Sequence, residues 1–404
     1  MRDVSGGVCA PKGFIAGGIR CGIKKSSQKN DLALVKCEVP CSAAAVYTKN
    51  KVYGAPITVT RANLENGVAQ AIVCNSGNAN TCNADGVFIA EKMCAFTGAA
   101  LGVDPADVII GSTGVIGQPL PLEPVEWGIK ELGPKLSKDG AHAAQLAIMT
   151  TDIQAKETAL AFELDGFTVT IGAMAKGSGM IRPNMATMLS FITTDCAISA
   201  TMLRKALKMV VDDTYNMVSV DGDTSTNDMV SVMASGLAGN APIDGEGAAF
   251  DAFVSGLMAV ATRIARMIAA DGEGATKLLE IAVTGAPDVM TARAVAKSVV
   301  MSSLFKAAMF GADANWGRIL CAIGYAEAEF DVSMIEVHLS SPAGKIQVCA
   351  DGNGVPFSEE TAKTILLEKE ITVDINMHQG SAAATAWGCD LTYDYVKING
   401  DYRT

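Results

Sequence analysis

Apolar residues along this chain follow two rhythms. Short runs, bounded by Gly, Asn, Asp and Pro, predict strands at 43–47, 56–59, 69–74, 108–110, 278–283, 335–339, 346–348 and 371–375. Residues 162–171 alternate as two strands joined at Asp165-Gly166, a dipeptide suited to a tight hairpin turn. Apolar positions at three- and four-residue steps predict helices over 86–102, 123–136, 138–148, 199–214, 290–303 and 379–393. The most regular helix covers 247–270, with Phe250, Phe253, Leu257, Val260, Ile264 and Met267 on one face. Arg263 and Arg266 sit near its C-terminal end, where the helix dipole favours cations. The tail 396–404 is short and polar and is expected to fray. Strands and helices interleave, which places the chain in the α/β class.

One stretch changes character in its middle: 176–195, reading KGSGMIRPNMATMLSFITTD. Its glycines and the Pro183-Asn184 pair favour turns and unusual backbone angles. From Thr187 onward the pattern is that of a half-buried strand. A chain break between Ala186 and Thr187 would leave Thr187 with a free α-amine beside its own hydroxyl. Such an amine titrates at roughly 7.7–8.0 and activates a weak oxygen nucleophile. Thr is also an ordinary strand residue, so the local pattern leaves both readings open.

The chain's 404 residues suffice for two domains or one domain of two lobes, and 49% hydrophobic residues allow a large core. A net charge of −11 argues against nucleic acid or an anionic membrane as partner. It leaves room for a small anionic substrate, which a local cluster of cations can hold. The 11 cysteines contain no CxxC pair and read as reduced thiols of a cytoplasmic protein. No cysteine spacing supports zinc. His142, His338 and His378 form no HExxH, and no G-x-S-x-G elbow supports a serine triad. The N-terminus lacks a signal-peptide pattern and no stretch reaches ~18 uncharged apolar residues, so neither secretion nor membrane insertion is expected.

Three further polar segments are candidates for chemistry. Residues 111–117, GSTGVIG, follow a short strand and read either as an anion nest or as a plain tight turn. They match neither common nucleotide-loop pattern. Residues 219–228 are dense in Asp, Ser, Thr and Asn; they read as a solvated or site-supporting loop, or as a Ca²⁺ or Mg²⁺ site lacking the closing EF-hand glutamate. Glu273 stands between two glycines after the long helix and reads as an acid, a base, an amine partner or a solvated loop residue.

Taken together, nine segments resemble the ornithine acetyltransferase family of arginine biosynthesis, often called ArgJ. They are APKGF at 10–14, CNSGNAN at 74–80, GSTGVIG at 111–117, TTD at 150–152, KGSGMIRPNMATML at 176–189, DGDTSTND at 221–228, DGEGATK at 271–277, GADANWGRI at 311–319, and ING with YRT at 398–400 and 402–404. The resemblance implies an αββα sandwich and an autocatalytic cut at Ala186–Thr187. The resulting fragments, 1–186 and 187–404, would assemble as an α₂β₂ heterotetramer. It implies Thr187 as N-terminal nucleophile, and Thr113 and Gly114 as the oxyanion hole. Thr150, Lys176, Thr187, Glu273, Asn399 and Thr404 match substrate-binding positions, with Thr151 the alternative register for Thr150. The implied reaction moves acetyl from N²-acetyl-L-ornithine to L-glutamate with no metal or bound cofactor; acetyl-CoA is a further candidate donor. A self-cleaving amidase or aminopeptidase, with water as acceptor, shares the cut and the oxyanion hole. A non-catalytic small-molecule-binding protein would show no chain break.

Overall fold

The computed structural model describes residues 1–25, 27–181 and 188–400. Ala186, Thr187 and Thr404 therefore lie outside the described residues, as does the junction itself.

The strands in chain order begin with β1 (Arg2–Asp3), β2 (Phe14–Ile19), β3 (Leu32–Tyr47), β4 (Val68–Asn78) and β5 (Val108–Val115). They continue with β6 (Lys156–Leu164), β7 (Phe167–Lys176), β8 (Leu189–Thr194), β9 (Val218–Ser219), β10 (Met229–Ala234) and β11 (Leu278–Ala286). The last are β12 (Glu336–Ser341), β13 (Gly344–Ala350), β14 (Asn353–Gly354), β15 (Glu370–Asn376) and β16 (Ala382–Cys389). The helices are α1 (Ala55–Asn63), α2 (Gly86–Leu101), α3 (Leu122–Leu132), α4 (Ala141–Ile148), α5 (Ala200–Asp213) and α6 (Ala248–Ala270). After them come α7 (Val289–Met301), α8 (Ser303–Phe310), α9 (Trp316–Gly324), α10 (Glu359–Leu366) and α11 (Tyr393–Gly400).

Among the described residues, nine strands form one sheet in the order β1-β6-β7-β8-β10-β3-β4-β5, with β2 also on β3. Strand β3 belongs to two parts of it. Its first residues pair with β2 and β4, its last with β10, and the β3–β4 register shifts between Lys36 and Cys41. The sheet folds over on itself at that point. Phe14, Val35, Ile72 and Ile109 of one half share a core with Leu189, Phe191, Met229 and Met233 of the other. A Cβ at Gly111 on β5 would lie 3.0 Å from the Phe191 ring and 3.4 Å from Leu189. Helices α2 and α3 bury Ile89, Met93, Val125 and Ile129 against the outer face of the first half. Helices α5 and α6 bury Leu203, Phe253, Leu257 and Val260 against the second. This is the expected αββα sandwich.

A second, seven-stranded sheet, β14-β13-β12-β15-β11-β16-β9, adds a lobe. Helix α6 touches β6 and β7 of the first sheet and β11 and β16 of the second. By length and composition alone it is apolar enough to cross a membrane, but Asp251, Arg263 and Arg266 interrupt it, so it holds no run of ~18 uncharged residues. Its apolar face, Phe250 through Ile268, is instead buried in the protein core.

Several elements differ from expectation. Residues 56–59 are helical, not a strand: Pro56 occupies the first turn of α1, where its missing N–H costs nothing. The helix expected over 379–393 is mostly strand β16. Its alanine-rich run favours a helix in isolation, but β16 fills the slot between β11 and β9. The segment expected to turn at 111–117 is strand through Val115. The tail expected to fray forms α11 up to Gly400. The hairpin at 165–166 is as expected, with both residues at positive φ (50° and 83°).

Gly111→Val tests the closeness of the two sheet halves. The branched side chain would press on Phe191, and overpacking of this kind costs ~1–3 kcal/mol. Urea unfolding should show that loss with an unchanged denaturant slope.

Candidate active site

Four strand termini meet at one end of the sandwich: the C-terminal ends of β5 and β7 and the N-terminal ends of β8 and β10. Strand β5 brings Thr113 and Gly114, which pair with Ser76 and Gly77 of β4 beside a bulge at Gly77–Asn78. Gly114 has φ 130°, and a Cβ there would lie 2.4 Å from the Gly77 carbonyl carbon. Only glycine fits both constraints.

These termini enclose a cavity of about 120 Å³. Thr113, Gly114, Thr150, Thr151, Lys176, Glu273 and Asn399 all line it. An adjoining recess reaches Met188 and Leu189, the residues that follow Thr187. Every described residue assigned by the sequence resemblance thus lies at one place, although the chain separates Thr113 from Asn399 by most of its length. Thr150 and Thr151 both line the cavity.

The carboxylate of Glu273 is buried. Its backbone N–H donates to the Ser178 carbonyl at 3.0 Å, and the Asn399 amide donates to Glu273 Oε2 at 2.8 Å. A Cβ at Gly179 would sit 2.4 Å from the Glu273 carboxyl carbon, so glycine there leaves the acid its space. Helix α11 docks on the same turn: Thr392 Oγ1 donates to the Gly274 carbonyl at 2.7 Å. That docking explains why residues 393–400 hold a helix against the site.

Behind Lys176 lies an ionic network that the sequence reading did not find. Lys156 is fully buried, with Nζ 2.7 Å from Asp152 Oδ1 and 2.5 Å from Asp271 Oδ2. Asp152 also accepts from the backbone N–H groups of Thr150 (2.9 Å) and Gly177 (2.7 Å). Asp271 accepts from those of Ile153 (3.0 Å) and Gln154 (3.2 Å). Burial pushes the Asp152 carboxyl up, but the charges of Lys176 and Lys156 and the bonds from Lys156 and Gly177 outweigh it. The result holds Asp152 well below the usual carboxylate range. The network joins the 150–156 segment, the Lys176–Gly177 turn and the end of α6, which carries Glu273.

The polar loop at 221–228 is a clamp. Asp221 accepts from the N–H groups of Met180 (2.6 Å) and Ile181 (2.8 Å). Met229 donates to the Met188 carbonyl at 2.9 Å, and β10 runs parallel to β8 from there. Both flanks of 182–187 are therefore fixed by one short loop and the strand that follows it. Asn227 ties the loop to β5, donating to the carbonyls of Ala79 (2.5 Å) and Ser112 (3.0 Å). Asp228 lines the recess beside Met188 and is fully buried, and among the described residues one of its oxygens has no hydrogen-bond partner. Burial raises its carboxyl well above the usual range.

A folded-over α/β sandwich with a buried acid and a buried lysine around a small polar pocket has the architecture of an enzyme acting on small molecules. The chain belongs to the ArgJ family, whose family model matches residues 15–404. It is 51% identical to the arginine biosynthesis bifunctional protein ArgJ of Symbiobacterium thermophilum over 406 residues, with both chains fully covered. It is 48% identical to the protein of that name from Caldanaerobacter subterraneus, again with full coverage of both. Among solved structures, a crystal structure of the ArgJ protein of Bacillus halodurans superposes with a TM-score of 0.51 at 47% identity. The match covers all of that chain and 54% of this one.

Lys156→Met would leave Asp152 and Asp271 buried without their shared cation, a loss expected to cost ~3–5 kcal/mol of stability. The pH dependence gives a second readout. A depressed folded-state pKa contributes stability that is present above the unfolded value near ~4 and lost as pH falls through the folded one. Wild type should therefore lose stability steeply as pH drops below ~4, and Lys156→Met less steeply, in thermal melts across that range.

Proposed function

We propose that this chain transfers an acetyl group from N²-acetyl-L-ornithine to L-glutamate through an ester on Thr187, formed after the chain cuts itself between Ala186 and Thr187. One observation carries the proposal. Thr113, Gly114, Thr150, Lys176, Glu273 and Asn399 line a single cavity whose adjoining recess ends at Met188, the residue after the proposed nucleophile.

In the first half-reaction Thr187 Oγ adds to the acetyl carbonyl while its own α-amine takes the hydroxyl proton. The Thr113 hydroxyl and Gly114 N–H hold the resulting oxyanion. Collapse breaks the amide C–N bond, and the α-ammonium returns the proton to the departing nitrogen. Ornithine leaves, and acetyl-Thr187 remains. The α-amine of glutamate then attacks the ester, Thr187 Oγ departs with its proton restored, and acetylglutamate is released. Glu273, oriented by Asn399, receives the side-chain ammonium of ornithine. Lys176, with Asn399 and Thr404, receives an amino-acid carboxylate, and Thr150 adds a hydroxyl to the same wall. These steps require no metal or bound cofactor. Acetyl-CoA serves as a second acetyl donor, a reading supported by the word bifunctional in the names of the relatives.

Two observations favour the cut. Its flanks are separately anchored, by Asp221 on one side and β10 on the other. The solved relative's chain corresponds to 54% of this one, the share that residues 187–404 represent. After cleavage the fragments stay together, because β8 of the second lies between β7 of the first and β10. An α₂β₂ assembly of such pairs and a cytoplasmic site belong to the same proposal; all eleven cysteines are unpaired, as a reducing compartment requires.

A denaturing gel with intact-mass measurement tests the cut. Wild type should appear as fragments 1–186 and 187–404, and Thr187→Ala should remain full length and inactive. An uncut wild-type chain that still forms acetylglutamate would overturn the mechanism. Thr113→Ala removes one proposed oxyanion donor. It should lower kcat with acetylornithine by ~10²–10³, measured on protein whose cleavage has first been verified by mass.

A further inference from the structure

A second and much wider groove, about 980 Å³, opens between α5 and the segment that follows β3. Lys49, Lys51, Arg61, Arg204, Lys205 and Lys208 line it, against a single lining carboxylate, Asp212. This is a strong local reversal in a chain of net charge −11. Lys208 pairs with Asp212 at 2.8 Å and Lys205 with Glu246. Among the described residues, Lys49, Lys51, Arg61 and Arg204 have no carboxylate within ion-pair distance. Arg61 is held over two rings, 4.9 Å from the Tyr47 centroid and 5.4 Å from that of Tyr53. A guanidinium fixed in this way is oriented for a planar or phosphate anion.

The groove adjoins the pocket. Thr48 Oγ1 donates to the Ser225 carbonyl at 2.8 Å, and Asn50 Nδ2 to the Thr224 carbonyl at 2.9 Å. Ser225 also lines the pocket. Tyr47 pairs with Met229, and Met229 with Leu189. Two strand spacings, about 10 Å, thus separate the groove's edge from the strand that follows the proposed nucleophile. Ornithine and glutamate are too small to need a groove of this size, and neither carries more than two carboxylates. Several unpaired cations with exposed tyrosine suit an anion that carries multiple phosphates and an aromatic base.

We propose that this groove seats the phosphorylated nucleotide end of a thioester acetyl donor, with the acyl arm crossing the ends of β3 and β10 to reach the pocket. The inference rests on the reading of acetyl-CoA as a second donor.

The double charge reversal Arg204→Glu/Lys208→Glu tests it, since both residues are exposed on α5 and lie outside the pocket. The KM for acetyl-CoA should rise by at least about tenfold, while transfer from acetylornithine to glutamate is unchanged. Adenosine 3′,5′-bisphosphate should compete with acetyl-CoA in wild type and leave the acetylornithine reaction untouched. An unmoved KM for acetyl-CoA overturns the groove assignment and leaves the second-donor reading standing, as does equal inhibition of both reactions by the bisphosphate. If wild type makes no acetylglutamate from acetyl-CoA, the second-donor reading fails instead. Calorimetric titration with the bisphosphate then decides the groove alone: binding lost in the double variant supports it, and absence of binding to wild type overturns it.

Discussion

Lys156, buried between Asp152 and Asp271, fixes where the pocket lies. Asp152 stands four residues before Lys156, in an irregular segment rather than a helix. Asp152 precedes β6, and Asp271 ends α6 more than a hundred residues later. Each also accepts backbone N–H groups from the segment opposite, so removing the cation would strand two desolvated charges rather than one. The pocket's two ionic walls, Lys176 and Glu273, are both attached to this network. Lys176 precedes Gly177, which donates to Asp152, and Glu273 follows Asp271 by two residues. Their separation is therefore set by a rigid buried pair, and not by the glycine-rich turns that carry them.

The same economy governs the junction. Residues 182–187 would have to tolerate a broken chain without loosening the sheet around it. Strand β8 starts just past the junction and is hydrogen-bonded on both sides, to β7 and β10. The residues before it are anchored separately through Asp221. A cut between two anchored ends would leave a new α-amine and a new carboxylate without freeing either strand. It also means that fragments 1–186 and 187–404 are not folding domains: strands from both interleave in one sheet, and the second lobe joins through α6.

The sequence made the site's polar edge legible better than its support. Glycine marks where backbone or carboxylate passes too closely for a side chain, and Gly114 and Gly179 do so against Gly77 and Glu273. Residues beside such glycines are conspicuous in sequence. Lys156 is not: it opens β6 as one more charged residue, and its second carboxylate, Asp271, is found only in three dimensions. The fold divides similarly. Long amphipathic α6 and the β6–β7 hairpin are governed by local spacing and turn chemistry. The bend in β3 and the strand identity of β16 depend on which neighbours are available, and an alanine-rich run carries no local sign of that.

Charge separates the two cavities in a way that net charge hides. In the pocket, Lys176 is balanced by Asp152 and Glu273 is capped by an amide, so a zwitterion can enter without leaving an uncompensated charge behind. In the groove, four cations have no carboxylate partner among the described residues and remain near solvent, where holding them apart costs little until a ligand arrives. A neutral site for small amino acids beside a cationic site for a larger anion is the arrangement expected when two different donors must deliver the same acetyl group to one nucleophile. The shared hydroxyl then needs only one oxyanion site, and donor choice is decided by which cavity holds the part of the molecule that does not react.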